Sequence, residues 1–158
     1  MTTATRSDRG WTRHPKIARI LKRGVARFIT IYPWAELHPT FNPERDICFI
    51  MLTAREILKL NPSIPASMAP QCGHNHGPSW EECVRLAENN PALRFTGFLM
   101  PVARADEGID LDAVYVPQPD LENYYTLVLT RPDGTVHPPD EDAVEQIDGR
   151  DYRRLWWD

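Results

Sequence analysis

From Pro15 onward, Ile17, Ile20 and Leu21 recur at helical spacing, while Lys16, Arg19, Lys22 and Arg23 fill the positions between them. That alternation predicts a short amphipathic helix with one apolar and one basic face. Proline suits its first position, where a missing N–H has no partner to lose, and Gly24 is expected to close it as a C-cap. The β-branched and aromatic run from Val25 to Tyr32 then reads as a strand, with a continued helix as the alternative. A loop bounded by Pro33 and Pro39 carries Trp34, Glu36 and His38. Asn42-Pro43-Glu44 has the form of a helix start: a capping side chain, a proline and an acid favourable to the dipole. With Ile47, Ile50, Met51, Ala54, Ile57 and Leu58 as its buried stripe, this predicts a central helix running to Leu60, where Asn61-Pro62 stops it. Cys48 inside that run is expected to act as a small buried hydrophobe.

Residues 61–78 form a proline-punctuated loop long enough to suggest a role of its own. Ser79 followed three positions later by Glu82 is a capping box, and it opens a helix over Trp80 to Asn89 that Asn90-Pro91 ends. The remainder favours strands. Leu93 to Val102 is one, with Gly97 as a bulge, and Leu111 to Val116 is another. Tyr124 to Thr130 and Thr135 to His137 flank the turn Arg131-Pro132-Asp133-Gly134. Asp110 and Asp112 alternate along their strand and read as a solvated sheet face. Asp142 to Ile147 is expected as a short helix. The fold class that follows is α+β: about three helices packed on a mostly antiparallel sheet concentrated in the C-terminal half. The whole of 1–158 is read as a single domain, with 1–14 as a basic arm and 149–158 as an aromatic C-terminal tail.

Composition narrows the class. The chain is 42% hydrophobic and 25% charged, as globular proteins are, and no apolar run reaches the length of a membrane span. Three cysteines make no disulfide framework and leave one unpaired, which points to a reducing compartment and a cytoplasmic location. With 8 glycines against 15 prolines, a glycine-rich phosphate loop is not expected. The net charge of −4 hides a polarity: residues 1–30 carry eight basic side chains against Asp8, and residues 105–148 carry twelve acids against Arg131. The basic segment either meets an acidic partner or folds back on the chain's own acids. Within it, Arg19, Lys22 and Arg23 are the candidate partner-binding cations.

The densest set of ligand-type side chains is Cys72, His74 and His76, with Cys83 on the helix that follows. Thiolates and imidazoles are zinc ligands, and Gly73 and Gly77 would let the backbone fold tightly around an ion. The spacing is not that of a standard finger, so the geometry is allowed rather than demanded. His74-Asn75-His76 followed by Pro78-Ser79-Trp80-Glu81-Glu82 resembles the His-x-His and Pro-Ser-x-x-Asp elements of JAMM-type metalloproteases. The resemblance implies His74, His76 and Glu82 as ligands and Glu36 as the base that polarises a water. It covers only this short stretch and departs from the family in a shorter spacer and in Glu at the acid position.

The chain ends in Tyr152-Arg153-Arg154-Leu155-Trp156-Trp157-Asp158, and Trp156 and Trp157 need either the domain's own core or a partner to cover them. The leading functional expectation is a non-enzymatic binding or accessory protein. It would engage a macromolecular partner, or a second copy as a homodimer, with a structural zinc at the Cys72-His74-His76 loop. A zinc-dependent hydrolase is the first alternative. Nucleic-acid binding through the basic N-terminal helix is the second, and the acidic segment opposes it.

Overall fold

The computed structural model describes residues 9–35, 45–66, 77–118, 133–135 and 137–158. Helix α1 spans Pro15–Ile31 and buries Ile17, Ile20, Leu21, Gly24 and Phe28 along one stripe. Strand β1 (Cys48–Thr53) leads directly into helix α2 (Ala54–Leu60). Helix α3 (Trp80–Asn89) precedes strands β2 (Arg94–Met100) and β3 (Gly108–Pro117). Strands β4 (Glu141–Ile147) and β5 (Arg150–Trp156) complete a five-stranded sheet of order β1-β2-β3-β5-β4, antiparallel throughout. The α+β architecture of three helices on an antiparallel sheet is therefore present, with four of the five strands beyond residue 90. None of the helices among the described residues is long and apolar enough to cross a membrane.

The pleat divides the sheet into two faces. On the first, Ile50, Leu52, Phe95, Leu111, Val114 and Leu155 meet Ile17, Ile20 and Leu21 of α1, Ile57 and Leu60 of α2, and Cys83 and Leu86 of α3 in one buried cluster. The cover stops short of β4, where Val144 is 57% exposed. On the second face, Met51, Ala113, Tyr115, Ile147 and Tyr152 gather with Phe28 from the far end of α1. Helix α1 thus lies along the β1 edge and serves both faces. Its Arg27 donates to the Met51 carbonyl of that strand at 2.7 Å and to both carboxylate oxygens of Glu56 at 2.7 and 2.9 Å.

Several local expectations are corrected. Gly24 does not end α1, and Val25 to Tyr32 is not a strand, because the buried spacing carries on through Gly24 to Phe28. Gly24 is there for close approach: a Cβ would sit 2.7 Å from Ile50 Cγ1. Cys48 to Thr53 is a strand rather than the middle of a helix. It is covered on both faces, so its apolar run loses the period of two that marks a half-exposed strand. The helix begins only at Ala54, under a capping box in which Thr53 Oγ1 accepts from Glu56 N and Glu56 accepts from Thr53 N. Ile47 and Leu58, assigned to the buried stripe, are 45% and 37% exposed.

Residues 142–147 lie in strand β4 rather than a short helix, joined to β5 by a two-residue turn with positive φ at both Asp148 (51°) and Gly149 (75°). The hairpin expected around residues 124–137 falls largely outside the described residues. Asp133 accepts there from Thr135 N and Oγ1, and Gly134 takes a positive φ of 82°.

The N-terminal segment at residues 9–13 is held by the β2–β3 connection. Glu107 accepts from Gly10 N, Thr12 N and Thr12 Oγ1, and Arg9 donates to the carbonyls of Val102 and Arg104.

Candidate functional site

The second face of the sheet opens into a cavity of about 400 Å³. Its aromatic lining comes from several elements. Phe28 and Tyr32 close α1, Trp34 follows on a single 3-10 turn (Pro33–Ala35), Phe49 and Phe98 are cross-strand partners on β1 and β2, and Trp156 ends β5. Phe28 and Phe49 stack at 5.0 Å between centroids with planes 10° apart. Phe49 and Phe98 also lie 5.0 Å apart, tilted, and Trp34 meets Phe49 edge-on at 5.5 Å. Offset and edge contacts of this kind suit the ring quadrupoles and hold the wall in place. Trp34 remains 69% exposed, so the wall presents an open indole to solvent.

The polar side of the groove is built by β3, β4 and β5. The β2–β3 ladder shifts register between Thr96 and Gly97, and Asp112 is the extra residue on β3. Gly97 allows this, since a Cβ there would fall 2.0 Å from the Asp110 carbonyl oxygen. A bulge re-aims the side chain it carries, and here Asp112 lines the groove and accepts from Trp156 Nε1 at 3.2 Å. Asp112 is buried, so it does not belong to a solvated sheet face. Arg154 on β5 bonds Glu141, pairs with Glu145 at 3.1 Å and lies 5.6 Å over the Trp156 ring.

Tyr32 donates to Glu145 Oε2, so the short contact between the two phenols, 2.7 Å, is Tyr115 donating to Tyr32. Burial first, then the bond Tyr32 donates to Glu145, drives the Tyr32 pKa far above the ordinary phenol value. Burial is also the main cause of the raised Tyr115 pKa. Burial opposes the charge of Arg154, but Glu145 and Glu141 more than restore it, and its pKa lies above the usual value. Both phenols therefore stay protonated and the guanidinium stays charged at neutral pH.

The sequence-derived candidates scatter. Trp156 is in the groove, whereas Trp157 is 1% exposed, with Nε1 donating to the His137 carbonyl, and is part of the core. Arg19 and Lys22 stand exposed on the outer face of α1, and Arg23 lies 3.8 Å from Glu56. Glu36, Cys72, His74 and His76 lie outside the described residues. Cys83 is wholly buried in the first-face core, and Glu82 closes the Ser79 cap by accepting from Ser79 N at 2.7 Å. Among the described residues no group of three or more His, Cys, Asp or Glu side chains is placed to hold a metal. Cys48 is buried as expected, its thiol pushed up to about 11 by burial and the nearby Asp46.

The groove itself escaped the sequence reading. The readable signal was Asp148-Gly149 between two alternating segments, a hairpin pattern that sets Glu141, Glu145, Arg154 and Trp156 on one face. Compared with protein-family models, curated proteins and solved structures, the chain matches none of them.

Proposed function

We propose that this chain is a non-enzymatic binding protein and that its binding site is the aromatic groove on the second sheet face. The observation that carries the reading is a cavity of about 400 Å³ walled by aromatic rings and closed at one side by a few fixed polar groups. That combination of apolar area and sparse, oriented polarity is how small organic ligands are held. The two buried phenols move away from neutrality, so neither is suited to proton transfer near neutral pH. A zinc ion at Cys72, His74 and His76 remains a separate proposal, tested by elemental analysis of protein purified without affinity histidines.

The test is thermal unfolding of the full chain against a panel of small aromatic and alkyl compounds of positive, zero and negative charge. A compound that binds the native state raises the melting temperature. At least one class is expected to do so in the wild type and to do less in Trp34→Ala, whose side chain is largely exposed, with the melting temperature of the unliganded variant as its own baseline. No shift with any compound, or a shift unchanged in Trp34→Ala, would overturn the reading.

A further inference from the structure

We infer that the ligand of this groove is an organic cation whose charge is an alkylated ammonium, an inference that rests on the binding reading above. Two carboxylates line the polar side, Asp112 and Glu141, with the single guanidinium of Arg154, and a third, Glu145, pairs with Arg154 and accepts from Tyr32 next to the groove. One cation leaves the set net negative, and neither phenol adds or removes charge at neutral pH. The opposite wall adds to this field, because the face of an aromatic ring is its negative pole. An alkylated ammonium placed against indole and phenyl faces is attracted by them and is only weakly hydrated, so it loses little on leaving water.

An anion is excluded by the same geometry. Arg154 is the one cationic side chain lining the groove among the described residues, and it is engaged by Glu141 and Glu145. A ligand carboxylate would have to displace one of them and then face the remaining acids. A neutral ligand would gain the aromatic contact area but nothing from the charge. The position of Arg154, 5.6 Å over Trp156, shows the chain itself using this surface for a cation.

The experiment is a calorimetric titration of the full chain with three probes of similar shape: benzyltrimethylammonium, the uncharged dimethylbenzylcarbinol and the anion phenylacetate. The ammonium is expected to bind at least about tenfold tighter than the carbinol, the gain of a desolvated cation–aromatic contact. Asp112→Asn keeps an oxygen acceptor for Trp156 Nε1, removes the charge and turns the second oxygen into an amide NH2. It is expected to weaken the ammonium about fivefold and leave the carbinol unchanged, with a thermal unfolding curve showing the fold intact. If the carbinol or phenylacetate binds as tightly as the ammonium, or if a folded Asp112→Asn binds the ammonium like the wild type, the cation inference falls and the groove stands. If none of the three probes binds, the inference falls together with the groove reading.

Discussion

The two faces of the sheet are made by the same strands and do opposite work. On the first face Ile50, Leu52, Phe95, Leu111 and Leu155 meet three helices in a cluster with little or no exposure. The contacts between these side chains remove apolar area from water. On the second face the same strands present Phe49, Phe98, Asp112, Tyr115 and Arg154 to a cavity. Here burial is incomplete, and the polar groups are fixed by one another through the Tyr115–Tyr32–Glu145–Arg154 chain. Stability is concentrated on the covered face, so the other is left to hold rings and charges in a fixed arrangement with solvent access. Side-chain alternation makes that division possible, and the bulge at Asp112 refines it by adding a carboxylate to the open face.

The largest expected effect joins the two faces. Gly97→Ala forces a Cβ to within 2.0 Å of a backbone oxygen that has no flexible side chain to yield. Denaturant unfolding is expected to show a loss of about 4 kcal/mol or more, since the β2–β3 ladder must shift. Leu155→Ala acts on the covered face alone and is expected to cost about 3 kcal/mol, the range for a fully buried leucine. A loss below about 1 kcal/mol in that variant would contradict the assignment of the first face as the main source of stability.

Glu56 ties α1 to the β1 edge and gives a pH-dependent test. Burial alone would raise its pKa, but the bonds from Arg27, the Thr53 N–H and the charges of Arg27 and Arg23 outweigh burial and hold it below the ordinary value. A carboxylate whose folded-state pKa is depressed contributes stability that is present above its unfolded-state pKa and lost as pH falls through the folded-state pKa. Glu56→Gln is therefore expected to cost about 2 kcal/mol at neutral pH and to flatten the acid limb of the stability profile. An unchanged acid limb in Glu56→Gln would show that this pair contributes nothing. The smallest effect belongs to the open face: Tyr32→Phe removes one hydroxyl from the relay and is expected to cost about 1 kcal/mol by thermal unfolding.

What could be read in the sequence follows the range of the interaction that decides each element. Helix α3 was legible because its start is set within four residues, by Ser79 and Glu82. The same signal at Thr53 and Glu56 was present but outweighed by the apolar run before it, where coverage on both faces erased the strand period. The second half of α1 was lost because Gly24, a common terminator, is here a packing device against Ile50. The C-terminal aromatics were legible as groups needing cover, while their strand pairing to β3 and β4 depends on partners distant in the chain. The groove was the least legible part. Phe49 meets Phe98, Tyr32 meets Glu145 and Asp112 meets Trp156 only after the sheet has assembled, and no local spacing encodes those meetings.

The central claim, that one face of the sheet sustains the fold and the other binds, is tested most directly by mapping backbone amide chemical shifts while benzyltrimethylammonium is added. The expected result is a saturable set of changes confined to the second face, centred on Phe49, Gly97, Phe98, Asp112, Arg154 and Trp156, with the first-face helices α2 and α3 unmoved. Changes centred instead on those helices or on the exposed cations of α1, with the groove silent, would contradict it.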